Sequence, residues 1–159
     1  MCNLCLTKYA RFRTHLVPIL RSCPKSKKNA DTLDIGITPP EKSKLLPKII
    51  KTGIFIKGKI KNLDMEDYEC HLNSGEYAYN RKNHCVFFGF GRSKLDGHWF
   101  QHSWVVDMKG IIKETWWDEI DAYYGVPDKR GPKKYRQTCN KIEKILRKKD
   151  KTEGCKIKY

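Results

Sequence analysis

Four residues in the middle of the chain have the types and order that thiol chemistry needs. Cys70 opens the segment "CHLNSGEYAY", with Asn73 three residues on; His102 opens "HSWVVDM"; and Glu114 stands in "IIKETWW". A cysteine is a nucleophile as its thiolate, which a helix N-terminus and a nearby imidazolium both favour. A histidine placed against it can take and return the proton, and an acid behind the histidine fixes its tautomer. Two acids could fill that third role, Asp107 and Glu114. In a hairpin turning at "MKG", Asp107 lies at the turn, far from His102, whereas Glu114, 114 − 102 = 12 residues on, returns alongside it. Glu114 is therefore the expected orienter, and the Cys70 backbone N–H the expected donor to a developing oxyanion.

Those side chains need a helix and a small sheet to hold them. "DMEDYECHLNSGEYAYNRK" begins with acids suited to a helix N-terminus and sets Cys70, Asn73 and Tyr77 on one helical face. "HCVFFGFGRS" and "HSWVVDM" read as strands, "KG" as a tight turn, and "IIKETWWD" as a third strand antiparallel to the second. "EIDAYYGVP" reads as a short helix stopped by Gly125 and Pro127. "GPKKYRQTCNKIEKILRKKD" lines Tyr135, Cys139, Ile142, Ile145 and Leu146 along one stripe, an amphipathic helix with a basic outer face. Upstream, residues 48–63 alternate around Ile54, Ile56 and Ile60 as one or two short strands, and residues 24–48, with four prolines, read as a linker with a helix start in "TPPEKSKLL". The fold class expected is α+β, a helix packed on a small antiparallel sheet. Residues 1–47 form a basic N-terminal extension and linker, 48–127 the core with the thiol site, and 128–159 a basic C-terminal helix and tail.

The run "ECHLNSGEYA", a "GF" strand, "HSWVVDMKGIIKETWW" and "YYGVP" resembles a diffuse group of phage and bacterial proteins with a Cys-His-Asp arrangement on a papain-like, transglutaminase-like core. The resemblance covers residues 68–127. It places the cysteine at Cys70, the Asn at Asn73, the histidine at His102 and the acid at Glu114, where Glu followed by Thr115 stands in place of the usual Asp. It implies a peptidase, amidase or acyl transferase core needing no cofactor, acting on a peptide, protein or small amide or ester. His71, directly after Cys70, is not part of the pattern.

Composition frames this reading. The net charge is +15, from 33 Lys and Arg against 18 Asp and Glu, with 39% hydrophobic residues. Acids are sparse at the ends: only Asp31, Asp34 and Glu41 before residue 62, and only Glu143, Asp150 and Glu153 after residue 128. Such ends attract polyanions. The competing reading is therefore a non-catalytic basic module for nucleic acid or an acidic protein. A buried structural Cys70 is the bland version of the same residue.

The aromatics Trp99, Trp104, Trp116, Trp117, Tyr123 and Tyr124 could stack bases, but strand alternation sends half of them into a core. Cys2, Cys5, His15 and Cys23 are zinc-ligand types without a tight second knuckle. No apolar run is long enough to span a bilayer and the N-terminus lacks a signal-like h-region, so the seven thiols are expected to be reduced and the protein cytoplasmic, in the host cytoplasm if phage-encoded.

Overall fold

The structure is a computed structural model that describes residues 14–23, 45–63, 65, 69–116 and 120–152, the last three as backbone only. Among these residues, four helices pack around one six-stranded sheet. Helix α1 covers 14–21 and α2 Leu46–Thr52, with Pro47 in its first turn. Strands β1 (Ile54–Ile56) and β2 (Ile60–Asn62) follow, then α3 (Cys70–Tyr79), β3 (His84–Ser93), β4 (Trp99–Asp107), β5 (Ile112–Glu114), β6 (Ile120–Pro127) and α4 (Lys133–Thr152).

The strand order is β1-β6-β3-β4-β5-β2. Strands β1 and β2 thus lie at opposite ends of the order, yet only residues 57–59 separate them in sequence. The four steps from Ile56 to Ile60 span about 14 Å at most, so the sheet has to curl until its two edges meet. Where they meet, a side chain on Gly58 would strike the Gly110 carbonyl, and Ile112 N donates to Lys59 O at 2.9 Å. The sheet is mixed rather than purely antiparallel, because β2 joins β5 in parallel while every other pair is antiparallel.

The segment expected as a helix at "EIDAYYGVP" is instead β6, a central strand paired with both β1 and β3. Its residues are buried on both faces. Tyr123 packs against Trp104 on one face, and Tyr124 against Phe55 on the other. A two-sided buried strand shows no clean period of two, so Gly125 and Pro127 look like a helix stop. Gly125 serves a different purpose: a Cβ there would sit 2.5 Å from Phe88 O and 3.0 Å from Gly89 Cα, so only glycine lets β6 lie this close to β3. Pro127, without an N–H to give, ends the strand.

Core packing draws on every helix. Leu16 and Leu20 of α1 and Leu46 and Ile49 of α2 bury against Phe55, Phe90, Trp99 and Tyr124. Helix α4 brings Cys139, Ile142 and Leu146 onto the face carrying Phe87, Trp104 and Val106, which matches its expected stripe. Ala78 of α3 meets Val86 and Val105 on the opposite face. Cys85 and Cys139 form a disulfide joining β3 to α4, across 54 residues of sequence. This pairing departs from the expectation of reduced thiols throughout; nothing in the cysteine spacing marks it, because only the docking of α4 brings the two together.

Candidate active site

His102 enters the core because β4 alternates. Trp104 and Val106, two and four residues on, share its buried face. The ring is 0% exposed and is surrounded by Phe100, Trp104, Trp116 and Tyr123, with centroids 5.0 to 6.5 Å apart across this group. A charged imidazole in such a place needs a counter-charge, and Glu114 supplies it. The hairpin from β4 through Gly110 (φ +78°) to β5 carries Glu114 back beside the histidine, so that His102 Nε2 donates to Glu114 Oε1 at 2.8 Å.

Glu114 is itself buried and held by four donors. Oε1 also accepts from the backbone amides of Thr115 (2.9 Å) and Trp116 (3.0 Å), and Oε2 from the Tyr123 hydroxyl at 2.8 Å. Burial and the adjacent carboxylate push the Tyr123 hydroxyl far above its usual range, so it remains a donor. Asp107, the other acid considered as orienter, is engaged at the turn: its Oδ1 accepts from Lys109 N and Ile111 N, and its Oδ2 pairs with Lys113 Nζ at 3.3 Å.

Cys70 comes to His102 from the side of the sheet that β5 leaves open. Strand β5 pairs with β4 only at Val105 and Val106. The first turns of α3 are tied down just beyond β5, where Asn73 Nδ2 donates to Thr115 O at 3.5 Å and Ser74 Oγ lies 3.3 Å from Thr115 Oγ1. Cys70 is half-buried and neighbours the imidazole. Desolvation lowers the His102 pKa, but the Cys70 thiol and Glu114 together outweigh it and raise the value to about 9. His102 Nδ1 is buried with no hydrogen bond closed on it. With Nε2 committed to Glu114, Nδ1 is the ring atom left for the sulfur.

Of the four expected residues, Cys70, His102 and Glu114 converge, while Asn73 is placed to dock α3 on Thr115. Three residues beside the site, Tyr123, His71 and Ser103, have no role there in the sequence reading. Tyr123 was assigned to a helix, and the strand alternation that would have pointed it inward was hidden by burial on both faces. His71 and Ser103 form a second contact beside the first, with Nδ1 and Oγ 2.5 Å apart. Burial, His102 and Arg130 all hold the His71 pKa below its ordinary value. The first backbone amides of a helix have no intrahelical partner, which leaves the N–H of Cys70 as a donor at the sulfur.

Among the described residues no group of three or more His, Cys, Asp and Glu could hold a metal ion. The zinc candidates Cys2 and Cys5 lie outside the described residues; Cys23 is buried in the α1 core cluster and His15 is exposed. No helix among the described residues is long and apolar enough to cross a membrane. No family model, curated protein or solved structure matches the chain.

Proposed function

We propose that the protein is a cysteine-dependent hydrolase or acyl transferase acting on an amide or ester bond, on a papain-like or transglutaminase-like core. The observation that carries this reading is the commitment of His102 Nε2 to a buried carboxylate, which leaves Nδ1 for a half-buried thiol at the head of a helix. In the reaction, the Cys70 proton rests on His102 Nδ1 as a thiolate–imidazolium pair, and the Cys70 sulfur attacks the carbonyl carbon. The tetrahedral oxyanion is held by the Cys70 N–H. On collapse the carbon–nitrogen or carbon–oxygen bond breaks, and His102 returns the proton to the leaving amine or alcohol. The thioester is then attacked by water or by an acceptor nucleophile, whose proton His102 takes, and on collapse the carbon–sulfur bond breaks, releasing the acyl product and restoring the Cys70 thiolate beside the imidazolium. Glu114 moves no proton; it keeps the ring oriented and stabilises its charged form.

The setting proposed with this activity is the cytoplasm, the host's if the chain is phage-encoded. Cys85 and Cys139 are both 0% exposed, which would shield their bond from cytosolic thiols.

The test is native alkylation by iodoacetamide at neutral pH, read by mass spectrometry, in wild type and His102→Ala. The reading expects Cys70 to label faster than Cys23, which is buried, and to lose most of that lead without the imidazole. Equal rates in the two proteins would sink it. They would favour the non-catalytic reading, a basic module for nucleic acid or an acidic protein, which requires no reactivity at Cys70.

A further inference from the structure

The fold gathers lysines from four separate segments onto one end of the molecule. Lys51 ends α2, Lys59 lies in the link from β1 to β2, Lys109 sits in the β4–β5 turn, and Lys144, Lys148 and Lys149 belong to α4; all six are exposed. Direct contacts bring these segments together. Arg147 Nη2 donates to Thr52 O at 2.6 Å, Lys149 Nζ to Lys109 O at 3.4 Å, and Ile112 N to Lys59 O at 2.9 Å, where Gly58 abuts Gly110. The described acids nearby are turned into internal pairs. Glu143 bonds Lys129 at 2.7 Å and Arg147 at 2.8 Å, and Asp107 serves its turn and Lys113.

Lysines at helix C-termini have a local reason to be there, since they complement the helix dipole. That accounts for Lys51, Lys148 and Lys149. It does not account for Lys59 and Lys109, which lie in turns and are brought to the same end only by closure of the sheet.

We infer that this platform binds the phosphodiester backbone of a nucleic acid, independently of whether Cys70 turns over. Compact ammonium charges read phosphate as point charges. A protein partner would call for an apolar interface centre, and a lipid surface for inserted apolar side chains. Ile60, 40% exposed, is the large apolar residue this end offers among those described. The platform stands apart from the thiol, since the five steps along β4 from His102 to Asp107 span about 17 Å.

The experiment is fluorescence anisotropy of a labelled 20-base-pair duplex against the full chain over a salt series. Two charge-reversal variants carry it: Lys144→Glu/Lys148→Glu on α4, and Lys51→Glu/Lys59→Glu/Lys109→Glu on the other three segments. Circular dichroism and thermal melts verify that each is folded. Six phosphate contacts predict a log–log salt slope of about −5, so affinity falls about a thousandfold from 50 to 200 mM salt. Each variant is expected to lose about tenfold or more in affinity and to flatten the slope by about 2 to 3. If the second variant binds as wild type does, the platform is refuted and binding belongs to α4 alone. Unchanged binding in both, or tighter binding to phosphatidylserine vesicles or polyglutamate than to the duplex, refutes it as well.

Discussion

His102 Nε2 and Glu114 Oε1 lie 2.8 Å apart, with the histidine 0% exposed and its pKa raised to about 9. The ring therefore holds a proton in the folded protein that it releases near pH 6.5 when unfolded. A group whose folded pKa is raised contributes its full stabilisation below the unfolded value and loses it as pH rises through the folded one. Stability should accordingly fall between about pH 6 and pH 10, by on the order of 3 kcal/mol from this residue. Urea unfolding at the two ends of that range measures it. Glu114→Gln, which keeps the shape and removes the charge, should abolish most of the fall. A slope identical in wild type and variant would show that the pair does not titrate as a unit.

Tyr123 offers a finer probe of the same carboxylate. Its hydroxyl donates to Glu114 Oε2 at 2.8 Å, and Tyr123→Phe leaves that oxygen without the donor. The loss should cost about 1 to 3 kcal/mol, the penalty for a buried acceptor left unsatisfied. A carboxylate with one donor fewer is more basic and holds the imidazolium more tightly. The ring resonances of His102 should therefore titrate at higher pH in the variant, and a downward shift by NMR would contradict the assigned hydrogen bond.

How far these contacts were legible in the sequence depends on what set them. Cys70 and Glu114 could be found because one opens α3 and the other closes β5, and His102 because alternation marks its strand, although β4 begins at Trp99 rather than at the histidine; a hairpin turning at Gly110 then has one register. The helix stripe Cys139, Ile142, Leu146 was legible for the same reason. Residues 120–127 were not, since a strand buried on both faces carries no alternation and its glycine and proline mimic a helix end. Lys59 beside Lys109, Cys85 bonded to Cys139, and the parallel β2–β5 pair depend on how the sheet closes. No local pattern encodes contacts of that kind. Asn73 was legible as a residue on the Cys70 face of the helix, but its partner, the Thr115 carbonyl, became visible only in three dimensions.

Ser103 and His71 should matter to reactivity more than to stability. The neighbours Cys70 and His71 on α3 meet the neighbours His102 and Ser103 on β4, so the His71–Ser103 contact pins the turn that presents the thiol. Ser103→Ala removes one hydrogen bond, worth about 1 kcal/mol. The alkylation rate of Cys70 should drop several-fold while the melting temperature moves by only a few degrees, and Ser103→Thr should restore the rate. A melting loss with unchanged labelling would mean that Ser103 only supports the core.

The Cys85–Cys139 bond makes a prediction separate from the thiol site. It closes a loop of 54 residues between β3 and α4, and cross-linking a loop of that length restricts the unfolded chain by about 4 kcal/mol. Reduction should therefore lower the melting temperature by on the order of 10 °C. Because both sulfurs are buried beneath α4, dithiothreitol reaches them only when α4 detaches or the protein unfolds. Reduction should be slow in buffer and fast in urea, with the native rate following global stability across variants. Cys85→Ala/Cys139→Ala should melt where the reduced wild type melts and be indifferent to dithiothreitol. Rapid reduction under native conditions with no change in melting would show that α4 is held by its apolar stripe alone.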